Sequence, residues 1–112
     1  MKMITCVIRP EKLNAVTDAL DKAHIVGMTV TEVRGFGRQK GQVEHYRGGE
    51  YTIRFIPKVR MDIVVQDADV EAVMKVIGKV AHTGNIGDGK VFVGSVTDAM
   101  RIRTGERGTS AL

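Results

Sequence analysis

The glycine-rich run at residues 82–90, HTGNIGDGK, contains the residue types that bind phosphate. Glycines let backbone N–H groups form a concave anion-binding nest, and Lys90 adds a point charge beside it. Gly84 and Gly89-Lys90 have the spacing of a Walker A loop, but Val91 stands where that motif needs a metal-binding Ser or Thr. The run therefore predicts phosphate binding without a P-loop. The alternative is a helix C-cap that leads into a plain turn.

Asp88, in the same run, has two competing interpretations. Its carboxylate is a candidate metal ligand or general base, but aspartates in glycine-rich turns routinely make local hydrogen bonds. No Ser/His/Asp grouping is visible elsewhere, and His24, His45 and His82 are too scattered for a zinc site. The sequence therefore contains no recognisable catalytic constellation.

A second stretch, residues 36–54, has no helical or strand periodicity. A structureless connection longer than about 12–15 residues is uncommon in a compact domain, and is usually a functional loop or a disordered segment. Residues 34–60 contain seven of the 17 Arg and Lys but only two of the 13 Asp and Glu. Such a concentrated basic field suits a compact anionic ligand or a partner surface. We predict a mobile loop that changes shape with a ligand and contacts partner proteins; the alternative is a mobile basic insertion without a task.

Nucleic acid is another partner that a basic protein suggests. Arg34-Gly35-Phe36-Gly37 begins like the aromatic RNA-binding motif of RRM domains, but Arg38 stands where an aromatic residue is needed. RNA readout by stacking needs several aromatic platforms, and the sequence does not supply them. We therefore expect no nucleic-acid binding.

The 112 residues fit one domain, residues 1–112. A domain of this size buries only about two-thirds of its unfolded-chain surface, so oligomerisation would add useful burial. The single Cys6 has no internal disulfide partner and lies in an apolar run, which indicates a buried thiol. That run, residues 3–8, is too short for a signal segment or a membrane span, and we therefore expect a cytoplasmic protein without membrane insertion.

The elements that must position these residues form two similar halves. The first half has a strand at 3–8, a helix that begins at Pro10 and stops before Gly27, and a strand at 28–34. Its helix has an apolar stripe of Leu13, Val16, Leu20 and Ala23.

The second half begins after Pro57 with a half-buried strand, in which Val59, Met61, Ile63 and Val65 alternate with polar residues and Val64 is the apolar exception. A helix follows, and Asp67 and Asp69 are expected to cap and charge its start. Its stripe is Val70, Val73, Met74, Ile77 and Ala81. After the glycine-rich turn a last full strand covers 91–96, and the tail at 97–112 is expected to form one more short strand.

The order β-α-β, loop, β-α-β predicts an α+β ferredoxin-like domain, with a four-stranded antiparallel sheet and both helices on one face. Two helices cover only that face. The other face is therefore expected to meet water, a partner subunit or a ligand. From composition and spacing alone, the chain is a small domain that binds a phosphate anion and carries a mobile basic loop.

Several motifs in one order add a more specific expectation. They are GMTVTEV at 27–33, GFGRQKG at 35–41, YRG at 46–48 with EY at 50–51, PK at 57–58, TG at 83–84 with IGDGK at 86–90, and RIRTGE at 101–106. Together they resemble the PII nitrogen-regulatory signal proteins, nearly end to end.

The resemblance implies a homotrimer with three nucleotide sites in the clefts between subunits, which bind ATP or ADP competitively and, with Mg-ATP, 2-oxoglutarate. The implied protein is a non-enzymatic sensor. It would control an ammonium transporter or nitrogen-assimilation enzymes and regulators through its loop. The nucleotide-binding residues implied are Thr29, Gly37, Arg38, Gln39, Val64, Gly87, Asp88, Gly89, Lys90, Arg101 and Arg103.

The resemblance also implies an effector site and contacts with partners. Gln39 would ligate Mg²⁺, and 2-oxoglutarate would be bound by Gln39, Gly41, Lys58 and Gly87. Arg47 resembles the residue that plugs ammonium-transporter channels, and Tyr51 matches a tyrosine that is uridylylated or adenylylated in some bacteria. The serine phosphorylated in some relatives falls at Gly49, which excludes that modification here.

Two other functions compete with this one. The first is a small ATP-hydrolysing or nucleotidyl-transferring enzyme that uses the Lys90 turn, although the Walker serine and paired carboxylates are missing. The second is an RNA-binding module of the ferredoxin-like fold.

Overall fold

The computed structural model describes residues 1–37, 43–46, 49–52 and 55–112, and only the backbone of 43–46 and 49–52. The strands are β1 (Lys2–Ile8), β2 (Met28–Gly35), β3 (Val43–Tyr46), β4 (Gly49–Thr52), β5 (Ile56–Val65) and β6 (Gly89–Ser95). The helices are α1 (Leu13–Lys22) and α2 (Val70–Val80). Short 3-10 turns at Pro10–Lys12 and Asp67–Asp69 lead into the two helices.

The main sheet has the order β2-β5-β1-β6, with every neighbouring pair antiparallel. This confirms the predicted four-stranded ferredoxin-like sheet. Because side chains alternate between the faces of a strand, Ile4, Cys6 and Ile8 of β1 point to one side, and Thr5 and Val7 point to the other. In the β1–β5 register, Cys6 pairs with Met61 and Ile4 pairs with Ile63.

The core lies between this sheet face and the two helices. The buried positions of the predicted helix stripes are Val16 and Leu20 in α1, Val73 and Ile77 in α2, and Ala81 directly after α2. Full burial of one such side chain contributes about 1.5–3 kcal/mol. Cys6 is fully buried in the same cluster, as predicted, and this burial raises the pKa of its thiol.

Pro57 lies inside β5, a position that the sequence pattern did not suggest, since proline interrupts central strands. The pairing of β1 with β5 begins only at Ile8 and Val59, so Pro57 lies beyond the end of β1. There β5 has a single neighbour, β2, in which Arg34 is opposite Pro57. The missing N–H of proline is tolerated at such an edge.

The second helix does not begin with the predicted side-chain cap. Neither Asp67 nor Asp69 makes a capping hydrogen bond with its side chain. The Asp67 carboxylate is instead 3.0 Å from the amino group of Met1, and this contact lowers its pKa. A 3-10 turn starts the helix, with Asp69 N–H donating to the carbonyl of Gln66.

The stretch predicted to be without strand periodicity contains β3 and β4, which pair antiparallel from Val43 opposite Thr52 to Tyr46 opposite Gly49. The sequence pattern did not suggest this hairpin within the predicted loop. Strands of four residues hold only two positions per face, which is too few for an alternation to be visible in the sequence.

The prediction of a last short strand in the tail was wrong. Met100 and Arg107 form one isolated antiparallel bridge, and a 3-10 turn at Gly108–Ala111 follows. Gly105 has a positive φ of 76°, and its N–H donates to the carbonyl of Arg101 at 2.7 Å. The tail therefore closes on itself as a turn because a glycine reverses the chain before a strand can extend.

Within the described residues, no helix is long and apolar enough to cross a membrane.

Gly89, at the start of β6, is the position where the fold depends most directly on glycine. Its φ is +103°, and an added Cβ would lie 1.7 Å from the carbonyl oxygen of Val7. Gly27 is a matched control, since its φ is +80° but nothing lies within 4 Å of an added Cβ. We predict that Gly27→Ala costs about 1–2 kcal/mol of conformational strain. Gly89→Ala should cost about 1–3 kcal/mol more, because Val7 must move.

Urea denaturation of the two variants measures this difference as a change in the free energy of unfolding. Equal losses for Gly27→Ala and Gly89→Ala would contradict the close contact with Val7.

Candidate anion-binding site

The glycine-rich turn after α2 is built around the carboxylate of Asp88. One of its oxygens, Oδ2, accepts hydrogen bonds from the backbone N–H groups of Thr83 at 2.8 Å and Gly84 at 2.9 Å. The other oxygen, Oδ1, accepts the hydroxyl of Thr83. Asp88 thus makes the local hydrogen bonds that were one of its two predicted interpretations. They close the segment from Thr83 to Asp88 within the turn.

These contacts also set the charge of Asp88. The hydrogen bonds from Thr83, followed by those from Gly84 and Arg9, hold the pKa of Asp88 well below its usual range. A carboxyl group with so low a pKa stays ionised near neutral pH and is a poor general acid or base. Its role as a nucleotide ligand stays a prediction.

Arg9 holds the turn from the sheet side, and the sequence reasoning missed it. Its Nε donates to Asp88 Oδ1 at 3.1 Å, and its Nη2 donates to the carbonyl of Ile86 at 2.9 Å. The strand register explains its position: Ile8 pairs with Gly89, so Arg9 and Asp88 face each other one step beyond.

Lys58 holds the centre of the turn. Its Nζ donates to the carbonyl of Gly87 at 2.6 Å, and the residue is only 9% exposed. Burial, with the nearby charge of Arg9 as the second cause, lowers the pKa of Lys58. Two of the residues predicted to bind 2-oxoglutarate, Lys58 and Gly87, are therefore brought into contact.

Three glycines of the turn have a positive φ, a feature that anion-binding nests share. Gly84, Gly87 and Gly89 have φ values of 90°, 105° and 103°. Successive N–H groups in such left-handed turns converge on a concave surface that attracts anions. Lys90 follows directly and is exposed. The residues present therefore suit a phosphate group, with Lys90 as the accessible cation beside the turn.

The sheet face away from the helices carries Thr29 and Val64, two of the residues that the resemblance implies for nucleotide binding. Thr29 of β2 pairs with Asp62 of β5, and Val64 lies two residues further along the same strand and is half-buried. Val64 pairs with Met3 of β1. The apolar exception in β5 therefore belongs to a small apolar area on the open face.

Asp62 is a second polar centre that the sequence reasoning did not single out. It accepts a hydrogen bond from Thr5 Oγ1 at 2.6 Å and contacts Arg60 Nε at 3.2 Å. The hydrogen bond from Thr5, with the contact to Arg60, lowers the pKa of Asp62. Thr29, Asp62 and Thr5 thus form a polar row across three strands of the open face.

The tail arginines are not brought to the turn. Arg101 Nη1 lies 3.5 Å from Glu106 Oε1, and Nη2 donates to the carbonyl of Leu112 at 2.9 Å. Among the described residues, no polar partner of Arg101 belongs to the turn. The reason is topological: the turn precedes β6 and the tail follows it, and a strand of seven residues is about 23 Å long. Arg103 is exposed in the same tail.

Four predicted site residues lie outside the described part of the chain, namely Arg38, Gln39, Gly41 and Arg47. Tyr51 is in β4, where only the backbone is described. Gly37 is described and exposed. Next to it, the rings of Phe36 and Phe55 lie 5.8 Å apart at an interplanar angle of 51°, which brings the two ends of the 37–54 segment together.

A cleft of about 890 Å³ opens beside this pair, within the range of small-molecule sites. It is lined by Pro10, Glu32, Val33, Arg34, Phe55, Pro57, Lys58 and Val59. Lys58 therefore lies between the cleft and the turn. In the described residues, no group of three or more His, Cys, Asp or Glu is placed to hold a metal ion.

These features define a small ferredoxin-like α+β domain with a glycine-rich, phosphate-compatible turn that is held to the base of a hairpin-bearing loop. Residues 1–106 match the family model described as "Nitrogen regulatory protein P-II", and the chain belongs to that family. This confirms the resemblance seen in the sequence, and the chain is a nitrogen-regulatory signal protein.

Curated relatives agree over the whole length. The chain is 55% identical to "Nitrogen regulatory protein P-II" of Microchaete diplosiphon, and 52% identical to the protein of that name from Azospirillum brasilense. It is 50% identical to "Nitrogen regulatory protein GlnK" of Escherichia coli K12. Each comparison covers 112 residues and the full length of both chains. All three names are those of regulators.

The low pKa of Asp88 makes stability depend on pH with a definite sign. The unfolded chain binds a proton here near the ordinary value of 3.8, before the folded chain does. Stabilisation by the ionised carboxylate is therefore present above about pH 4 and is lost as the pH falls further. We predict that Asp88→Asn lowers stability at pH 7 and flattens the pH dependence between about pH 2 and 5.

The measurement is the free energy of unfolding in urea at several pH values for both proteins. Because other carboxylates contribute in both, the difference between the two curves reports Asp88. Parallel curves would contradict the contacts described for this residue.

Proposed function

We propose that this P-II family protein is a cytoplasmic, non-enzymatic sensor of ATP, ADP and 2-oxoglutarate that controls partner proteins through its 36–54 loop. The observation that carries the proposal is the 2.6 Å hydrogen bond from Lys58 Nζ to the carbonyl of Gly87. It joins the glycine-rich turn to the strand that continues the loop. A ligand that changes either partner of this bond therefore acts on both the turn and the loop.

The phosphates of ATP or ADP are proposed to bind over Gly87, Asp88, Gly89 and Lys90. Support comes from the positive φ of Gly87 and Gly89, which is typical of anion-binding turns, and from the exposed side chain of Lys90. Thr29 and Val64 would contact the adenine, and Gly37, Arg38 and Gln39 would lie against the nucleotide from the base of the loop.

Arg101 and Arg103 are proposed to reach the phosphates from a neighbouring subunit. Within one chain they lie beyond the far end of β6 from the turn. A site that combines them with Lys90 is most simply built between two copies of the chain. The hydrogen bonds of Arg101 to Glu106 and Leu112 would then exchange with contacts to phosphate.

We propose that the assembly is a homotrimer in which the open sheet face is covered. Two helices cover the other face, while Phe92 on the open face is 55% exposed and Met3 is 37% exposed. Covering them would add the burial that a domain of this size lacks. Light scattering tests this part, and a monomeric mass at micromolar concentration would contradict it.

2-Oxoglutarate is proposed to bind with Mg-ATP at the base of the loop, with Gln39, Gly41, Lys58 and Gly87 as its protein contacts. Mg²⁺ takes hard oxygen ligands and seldom takes all of them from protein, so a Gln39 amide oxygen would complement phosphate and carboxylate oxygens. Lys58 contacts the carbonyl of Gly87, and its positive charge would offset the repulsion between the two anions.

The partner is proposed to be an ammonium transporter or an enzyme or regulator of nitrogen metabolism. Arg47 would make the contact with a transporter, and Tyr51 is a candidate for modification. The competing enzyme function is tested by a turnover assay with saturating Mg-ATP. Sustained hydrolysis or nucleotidyl transfer by the pure protein would overturn the non-enzymatic part of the proposal.

Lys90→Ala should weaken ATP and ADP alike, because both nucleotides would place phosphates over the turn. A hydrogen bond to a charged group typically contributes about 1.5–3 kcal/mol, which corresponds to a loss of roughly ten- to a hundredfold in affinity. Isothermal titration calorimetry measures both affinities. Lys75→Ala removes an exposed lysine from α2 and should leave them unchanged. Wild-type affinity in Lys90→Ala would mean that the turn is only structural.

Lys58→Met keeps the length and apolar stem of the side chain but removes its charge. We predict that it abolishes measurable 2-oxoglutarate binding in the presence of Mg-ATP, while ADP affinity falls by no more than about tenfold, because Lys58 acts on the turn only through the Gly87 carbonyl. Calorimetry with 2-oxoglutarate and, separately, with ADP gives both numbers, with Lys22→Met of α1 as the control. A variant that still binds 2-oxoglutarate normally would remove Lys58 from the effector site.

A further inference from the structure

Arg9 follows β1 at the end of the sheet that carries the glycine-rich turn. Its side chain is 16% exposed, so it is largely enclosed by the turn and its surroundings. Burying an arginine is costly unless its N–H groups are paired, and here two of them are. These two contacts therefore offset the cost of burying the guanidinium group.

The guanidinium group bridges two residues of the turn that flank Gly87. Its Nε reaches the carboxylate of Asp88 at 3.1 Å, and its Nη2 reaches the carbonyl of Ile86 at 2.9 Å. Lys58 holds the carbonyl of Gly87 between them. Three consecutive residues are thus fixed by two cations, with their carbonyl and carboxylate oxygens turned toward the sheet. Peptide planes anchored by their carbonyls have their N–H groups directed to the opposite side.

We propose that Arg9 is the positioning residue of the anion-binding turn, and that it aims the N–H groups of the turn at a polyphosphate without touching that ligand. This inference rests on the proposed nucleotide function. The effect is one of geometry more than of net charge, because the ionised Asp88 carboxylate neutralises Arg9. A lysine at position 9 retains the charge, but its single nitrogen does not reproduce the planar two-acceptor fork.

The experiment compares Arg9→Gln and Arg9→Lys with the wild-type protein, by calorimetric titration with ADP, ATP and adenosine. Lys22→Gln, a charge-matched change on the exposed end of α1, is the control. We expect both Arg9 variants to lose about tenfold in ADP and ATP affinity, because the N–H groups of the turn would no longer point at the phosphates and their charge-assisted hydrogen bonds would weaken. Affinity for adenosine, which has no phosphate, should stay within about twofold.

Amide hydrogen exchange is a second measurement, which distinguishes a positioning role of Arg9 from general destabilisation. It also tests the proposal if one of the variants folds poorly. Amide hydrogen exchange in Arg9→Lys should speed up at residues 83–90 and remain at the wild-type rate in the core strand β5. Wild-type ADP affinity in either variant would overturn the proposal. A full recovery in Arg9→Lys would do the same, because it would assign the effect to charge. Equal losses for adenosine and ADP would indicate a merely structural role.

The outcome for the wild-type protein keeps the two proposals distinguishable. If the wild-type protein binds neither ATP nor ADP, the proposed function itself is wrong and the role of Arg9 falls with it. If the wild-type protein binds both and Arg9→Gln binds them equally well, only the assignment of Arg9 is wrong.

Discussion

The ionised carboxylate of Asp88 is the interaction on which the rest of the site depends. It gathers the backbone of Thr83 and Gly84 on one side and the guanidinium of Arg9 on the other. Because each of its oxygens has more than one donor, the chain between residues 83 and 88 has few alternative conformations. The glycines of the turn lose much conformational entropy on folding, and the hydrogen bonds that close the turn offset this loss.

The fold was largely predictable because its signals are local and repeated. Ile4, Cys6 and Ile8 alternate over a whole strand, and the stripes of α1 and α2 recur over several turns. The errors fall where a signal is short or depends on distant residues. Strands β3 and β4 are too short to show alternation. Pro57 would break a central strand, but β1 ends before the position of Pro57, so β5 has only one neighbour there.

The site was predictable in its residue types and less so in its connections. Glycines and Lys90 predict an anion-binding turn from composition alone. Arg9 and Asp62 do not, because their importance comes from strand register: Arg9 faces Asp88 only once β1 is paired with β6, and Asp62 meets Thr5 only across β1 and β5. The proposed ligands come from the family resemblance, whereas the residues that hold the turn in place become visible only in the folded chain.

The enclosure of Cys6 has a practical consequence for studying the loop. This thiol is the chain's single cysteine, it is fully buried, and its pKa is raised, so little reactive thiolate meets solvent. Maleimide dyes and thiol-specific spin labels should therefore not react with Cys6 in the folded protein. One cysteine introduced by design in the 36–54 segment would carry the only probe, and its fluorescence would follow that segment without the need to remove Cys6 first.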